Sequence, residues 1–330
     1  MIIRTHAYAR AGLVGNPSDG YHGKTISIIA RNFKAEVVLY QSPELVIEPS
    51  DQDISEFACV SELVEDVRRH GYYGGVRLIK AAIRRFAAHC RAHGIDLDSK
   101  NFTVRYTSSI PRLVGMAGSS AIVTASLRAL MAYYDVEIPK PAQANLVLSV
   151  ENQELGINAG LQDRVIQVFE GAVYMDFAEK FMAENGHGCY EPIPPKLLPA
   201  LYVAFDPDRA EGSQRFHGHV RALYDEGNER VHRAMRQFAR LAERTQKLIL
   251  AGRGTEIGPL LDKNFDLRAS IYRISDENIA MVKAARAAGA SAKFAGSGGA
   301  IIGTYPDDQT YRRLQKRLSA LGCKVFKPRI

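Results

Sequence analysis

The chain has no tryptophan among its 330 residues, so 15 tyrosines and 13 phenylalanines must supply the aromatic packing. Cysteine is scarce: Cys59, Cys90, Cys189 and Cys323 form no CxxC pair and do not stand at zinc-ligand spacing with a histidine. That scatter predicts reduced thiols and a cytoplasmic protein. No apolar run approaches the roughly 18 residues of a membrane helix, and Met1 to Arg10 lacks the apolar stretch of a signal peptide. Neither a HExxH pattern nor a Gly-x-Ser-x-Gly elbow is present, which argues against a zinc protease and a serine hydrolase. Basic and aromatic residues do not alternate as they would in a nucleic-acid groove, so no nucleic-acid partner is expected.

What is present is an ordinary globular composition, 46% apolar and 24% charged. The length allows two domains. A net charge of +7 suits an anionic small substrate and a nucleotide. Apolar periodicity predicts strands at Ile2–Leu13, Thr25–Phe33, Ala35–Leu39, Glu44–Ile47, Phe102–Tyr106, Leu201–Phe205, Ala292–Phe294, Ala300–Thr304 and Lys324–Phe326. Helices are expected at Ser61–His70, Val76–His93, Ser119–Tyr134, Gln143–Leu155, Val220–Leu250, Asp276–Ala288 and Tyr311–Leu321. Pro192, Pro194, Pro195 and Pro199 mark Tyr190–Pro199 as a linker, giving domains 1–192 and 193–330. His217 and His219 are read as solvated loop residues.

Three glycine-marked segments stand far apart: Arg10 to Tyr21, Pro111 to Ala121, and Lys293 to Ala300. The middle one, Gly115-Met116-Ala117-Gly118-Ser119-Ser120, follows a strand and opens a helix. There free N–H groups and the helix dipole favour phosphate. It is neither a Walker A loop nor a Rossmann fingerprint. The plain alternative is a serine N-cap. Beyond it, Glu151 lies near a helix end and Asp163 after a glycine turn, a pair able to serve one metal ion and one substrate hydroxyl. Glu154 is a rival ligand, and both acids have a bland reading as surface or capping carboxylates. Asn16-Pro17-Ser18-Asp19-Gly20 also reads as a simple turn.

In this order the three segments resemble the signatures of the GHMP kinases, a family of small-molecule kinases, from Ala7 to Gly303. The run Ala9–Tyr21 with Gly23-Lys24-Thr25, Gly71-Tyr72-Tyr73-Gly74-Gly75 and Asn264-Phe265-Asp266-Leu267-Arg268 resemble the glucuronokinase branch. Galactokinases have Glu-His where this chain has Asn16-Pro17. The resemblance implies an α+β two-domain fold. Its N-terminal part is like domain 2 of ribosomal protein S5, and its C-terminal part is a ferredoxin-like αβ sandwich.

The same resemblance implies ATP and Mg2+ as cofactors, with Gly115, Met116, Ala117, Gly118, Ser119, Ser120, Tyr72 and Tyr73 holding the nucleotide. Ser120 and Glu151 would hold the metal. Asp163 is the implied base and Arg10 its basic partner. The implied partner is a small sugar or uronic acid, D-glucuronate being phosphorylated on its anomeric hydroxyl, with no nucleic acid and no membrane. Asn16, Ser18, Asp19, Lys24, Arg112, Arg164, Arg268, Gly296, Ser297 and Gly298 are the expected substrate residues. A uronate carboxylate calls for a cation, with Lys24, Arg112, Arg164 and Arg268 as candidates. A kinase for galacturonate or a heptose phosphate, or a non-catalytic sugar sensor, remain alternatives.

Overall fold

The computed structural model describes residues 1–50, 53, 59–60, 74–97, 100–207 and 214–330, with backbone alone for 214–218. The expected helix over Ser61–His70, the two tyrosines Tyr72 and Tyr73, and the side chain of His217 lie outside the described residues. Packing divides the chain into two compact units. One comprises Met1–Ala9, Phe33–Ile110 and Ala117–Val168, the other Arg10–Asn32, Pro111–Met116 and Phe169–Ile330. Strands β1 (Ile2–Val14) and β2 (Lys24–Gln41) contribute to both.

In the first unit, the second half of β2 pairs antiparallel with β4 (Phe102–Ser108), from Ala35↔Ser108 to Gln41↔Phe102. The short β3 (Val46–Glu48) joins β4 in parallel. Sequence periodicity suggested two strands around Lys34. The strand is continuous because Ala35, Val37 and Leu39 keep the inward alternation while Lys34 and Glu36 face outward.

Helix α1 (Gly75–Ala92) buries Leu78, Ile79, Ala82, Phe86 and Cys90, one face at helical spacing, and packs on α2 (Gly118–Tyr134). At its start the Gly75 N–H donates to Asp53 Oδ1 (2.7 Å) and to the Tyr106 hydroxyl (3.1 Å). A Cβ on Gly75 would stand 2.0 Å from the Tyr106 ring, so this glycine is needed for packing. Helix α3 (Lys140–Ser149) enters through Pro139 and carries Pro141 in its first turn. It does not run on to Leu155 as expected but opens into a π turn over Val150–Glu154. Helix α4 (Leu161–Phe169) follows.

In the second unit, the first half of β2 pairs antiparallel with β5 (Ala172–Asp176), which pairs with β6 (Cys189–Ile193). The expected linker is therefore half strand. Pro192 is tolerated because β6 is an edge strand, where a missing N–H breaks no ladder. Between β5 and β6 lies the short helix α5 (Glu179–Asn185). A second sheet holds β7 (Leu201–Phe205), β8 (Lys293–Phe294), β9 (Ala300–Thr304) and β10 (Lys324–Phe326), all antiparallel in the order β10-β7-β9-β8. Fourth, first, third, second is the ferredoxin-like strand order anticipated for this half.

Helices α9 (Asp276–Ala287) and α10 (Asp308–Ser319) contribute to a core of Tyr202, Ala204, Val282, Ala285, Ile301, Leu314 and Leu318. Helix α8 (Gly258–Ile271) contributes Phe265 to the same core. The four cysteines are free. No helix among the described residues is long and apolar enough to cross a membrane.

The single helix expected over Val220–Leu250 is two helices, α6 (Gln214–Asp225) and α7 (Glu229–Leu250). Gly227 takes φ +80°, and Asn228 caps α7 by accepting from the N–H groups of Arg230 (3.1 Å) and Val231 (3.2 Å). Asn228→Ala should therefore destabilise the protein by about 1 kcal/mol. Denaturant unfolding followed by circular dichroism measures this, and an unchanged midpoint would show that the cap contributes nothing.

Candidate active site

The three glycine segments meet inside the second unit, and their glycines are spaced for one another. Gly115 has φ +68°, and a Cβ there would stand 2.6 Å from the Gly298 carbonyl oxygen. A Cβ on Gly296 would lie 2.3 Å from the Gly115 carbonyl oxygen and 2.9 Å from the Arg10 guanidinium. Main-chain bonds complete the junction: Arg10 N–H to Met116 O (3.3 Å) and Gly12 N–H to Ala295 O (2.7 Å). Gly118 differs, since its nearest neighbour, Ile110, sits at an ordinary 3.5 Å.

Buried polar side chains hold this junction. Arg10 donates to the carbonyls of Gly115 and Ala295. Arg268 donates to Gly296 O (2.9 Å) and Ser297 O (3.0 Å), with the rings of Tyr272 and Phe294 at 5.1 and 5.2 Å. Asn278 accepts from the Gly299 N–H (3.0 Å). One helical turn before Arg268, Asn264 accepts from the Gly15 N–H (2.7 Å) and donates to Asn16 O (3.2 Å). Lys293 Nζ donates to Gly12 O (2.6 Å) and to Asn16 Oδ1. Arg10, Arg268 and Lys293 are only 5%, 4% and 1% exposed. Burial, reinforced by the neighbouring Arg268 and Arg10 charges, pushes the Lys293 ammonium well below its ordinary pKa.

The first unit carries the rest. Helix α2 begins after Ala117, a non-glycine residue at φ +60° whose side chain offers no cap. Ser120 does not cap either: its hydroxyl donates back to Ala117 O (3.2 Å). Gln167, fully buried, also donates to Ala117 O (2.8 Å) and ties it to β1 through Tyr8 O (3.2 Å). The start of α2 is thus braced from behind, as suits an anion-binding helix end. Separately, the π turn holds Glu151, a buried carboxylate whose Oε2 accepts from Arg164 Nε (2.6 Å) and Nη2. Arg164 Nη1 donates to Gly160 O (2.9 Å) and lies 3.5 Å from Asp163 Oδ2. One guanidinium therefore faces both acids named from the sequence.

Of the other expected residues, Ser18 is buried and donates to Lys24 O (3.1 Å), bracing its own turn. Asp19 is half-buried in the 3-10 turn Ser18–Tyr21. Lys24 pairs with Asp176 (3.2 Å). Met116 is buried, and Arg112 is half-buried on the middle loop. Sequence reasoning missed Gln167, Asn264's double grip and Lys293. The one available signal was a lysine inside the apolar run Ala292-Lys293-Phe294-Ala295.

These signatures are those of a family: the GHMP kinase N-terminal model matches residues 77–171 and the C-terminal model residues 245–322, and the chain belongs to the GHMP kinases. It is 40% identical to glucuronokinase 1 of Arabidopsis thaliana, over 94% of this chain and 87% of that protein. The probable glucuronokinase 2 of the same plant is also 40% identical, over 95% of this chain and 87% of its own length. Among solved structures, Lactococcus lactis galactokinase complexed with galactose superposes with a TM-score of 0.76 at 16% identity, covering 100% of this chain and 93% of that one. Streptococcus pneumoniae phosphomevalonate kinase gives 0.75 at 16% identity, with all of both chains covered. The fold is the two-domain α+β GHMP kinase fold, and the chain is an ATP-using phosphotransferase acting on an alcohol group.

Two alanine substitutions should separate a glycine packed against backbone from one with room beside it. Gly296→Ala forces a clash with backbone and should destabilise by roughly 1–3 kcal/mol. Gly118→Ala meets only Ile110 and should leave stability unchanged or raise it by up to about 1 kcal/mol, while weakening ATP. Thermal melts and the KM for ATP read both. A Gly118→Ala protein with wild-type ATP kinetics would show that no ligand approaches that residue.

Proposed function

We propose that the protein transfers the γ-phosphoryl group of ATP to the anomeric hydroxyl of D-glucuronate, giving glucuronate 1-phosphate and ADP. The observation that carries this is the 40% identity to two Arabidopsis glucuronokinases across nearly the whole chain. A cluster of buried cations in the second unit supports an acidic sugar, because anions stabilise buried positive charge. The sequence division into 1–192 and 193–330 is kept for the domains. Its support is that the N-terminal family match ends at 171 and the C-terminal match begins at 245.

Phosphoryl transfer asks a protein chiefly for positioning and charge stabilisation. N–H groups from Gly115 to Ser120 bind the phosphates, at a helix start that no N-cap side chain fills. Tyr106 stands against Gly75 of the segment 71–75, and Tyr72 and Tyr73 of that segment keep their nucleotide role as a proposal. Asp163 accepts the proton of the anomeric hydroxyl as its oxygen attacks the γ-phosphorus and the bond to ADP breaks. Arg164 orients Asp163 and Glu151. Arg10 is the basic residue of the transfer, fixed by the Gly115 and Ala295 carbonyls. Asn16, Ser18, Asp19 and Lys24 bind the sugar, and Arg268 with Gly296, Ser297 and Gly298 shapes the loop that encloses it.

The hydroxyl of Ser120 and the carboxylate of Glu151 are hard oxygen donors of the kind Mg2+ takes beside nucleotide phosphates. They would hold that ion, which when bound supplies neutralisation of phosphate charge.

An ADP-release assay over glucuronate, galacturonate, glucose and galactose tests the reading. Glucuronate should be preferred to glucose by roughly 2–5 kcal/mol of transition-state binding. Equal use of glucose would exclude a uronate substrate and leave the kinase assignment standing. In the same assay Asp163→Asn should lower kcat by about 100-fold or more while ATP still binds. A near-normal kcat would show that Asp163 is not the base.

A further inference from the structure

Three of the four cations named from the sequence as partners for a uronate carboxylate are already engaged, and the fourth, Arg112, is half-buried on the middle loop. Lys24 faces Asp176, Arg164 faces Glu151 and Asp163, and Arg268 is bonded to the carbonyls of Gly296 and Ser297. Lys293 was not among them. Its Nζ donates to Gly12 O and to Asn16 Oδ1. No carboxylate pairs with it among the described residues, and the charges acting on it are the like charges of Arg268 and Arg10. Burial and these like charges disfavour the protonated form of Lys293, and an anion brought near restores it.

The Asn16 side chain joins Lys293 to the turn over residues 16–20. Its Oδ1 accepts from Lys293, which sets the orientation of the amide. The Nδ2 group therefore points away from the ammonium and donates to no acceptor among the described residues. The backbone cannot swing to change this, because Asn264 grips Gly15 N–H with one end of its amide and Asn16 O with the other. An amide whose oxygen is held by an ammonium is a polarised donor at its nitrogen. Such a group suits an acceptor without protons, such as a carboxylate, better than a hydroxyl.

We infer that Lys293, acting through the side-chain amide of Asn16, is the positioning residue that makes the sugar site prefer an acidic sugar to its neutral counterpart. This rests on the acidic-sugar reading above. Lys293 touches no substrate. It sets which end of Asn16 the substrate meets and supplies the positive potential behind it. A substitution of Asn16 that reverses the hydrogen-bonding character of that end should reverse the preference without loosening the fold.

Asn16→Asp does this, because the new carboxylate still accepts from Lys293 while presenting an acceptor to the sugar. The experiment measures kcat/KM for glucuronate and for glucose, the KM for ATP and the melting temperature in wild type, Asn16→Asp, Lys293→Met and Lys293→Arg. In Asn16→Asp the glucuronate-to-glucose ratio should fall by about 30-fold or more, with the melting temperature kept. Lys293→Met should raise the KM for glucuronate by about tenfold while the KM for ATP stays within about twofold, and Lys293→Arg should recover part of the loss. An Asn16→Asp ratio like that of wild type overturns the inference, whether or not Lys293→Met folds. So does a Lys293→Met protein that loses both sugars and ATP alike, which would make Lys293 a structural brace. A wild-type enzyme that uses both sugars equally overturns the acidic-sugar reading itself, and the inference with it.

Discussion

Positive charge held by neutral oxygens is the constraint on which the glycine-rich junction depends. Arg268 and Lys293 are nearly solvent-free, and their bonds run to main-chain carbonyls and one amide oxygen. Carbonyl dipoles solvate a cation but do not neutralise it, so Arg268 charges the junction and, with Arg10, disfavours the charged form of Lys293. Each cation also joins segments distant in sequence: Lys293 reaches back to Gly12 and Asn16, and Arg10 reaches forward to Gly115 and Ala295. The same atoms that assemble the junction therefore charge it. A protein that handles anions gains both properties from one set of side chains.

Much of the fold was legible because its apolar periodicity is clean. The strands Leu201–Phe205, Ala300–Thr304 and Lys324–Phe326 fall where alternation puts them, and α2 starts one residue before its expected position. The errors have physical causes. Gly227-Asn228 was hidden in a long polar stretch, yet a left-handed glycine followed by a capping asparagine ends one helix and starts another. The β6 strand was read as linker because Pro192 looked like a breaker, which holds for interior strands but not for an edge. Strand β5 escaped because it is buried on both faces and shows no alternation, and α4 and α5 because each spans too few helical turns to show a period.

The candidate site was legible in its landmarks and not in its wiring. Glycine segments advertise themselves by composition, and two acids after a helix end stand out. What composition cannot tell is whom a glycine makes room for. Gly115 makes room for the Gly298 carbonyl and Gly296 for the Gly115 carbonyl, whereas Gly118 has only an ordinary contact with Ile110. Nor does a sequence disclose that Arg164 lies against two carboxylates and is thereby withdrawn from the list of cations free to meet a substrate. Gln167 gave no sign at all, being one more polar residue on an amphipathic helix until its amide is seen holding Ala117 O.

Ala117 itself has a consequence for the thermodynamics of the loop it belongs to. Its φ of +60° is a conformation that glycine adopts freely and alanine reluctantly, and Leu113 at +56° shares the burden. A glycine at either place would relax the strain, but it would also let the loop wander among many shapes. With a Cβ present the alternatives are few, and the hydrogen bonds from Gln167 and Ser120 select one of them. A loop already confined would lose little further disorder to phosphate bound as proposed. The strain stored in two side-chain-bearing residues is thus converted into a loop whose shape precedes its ligand.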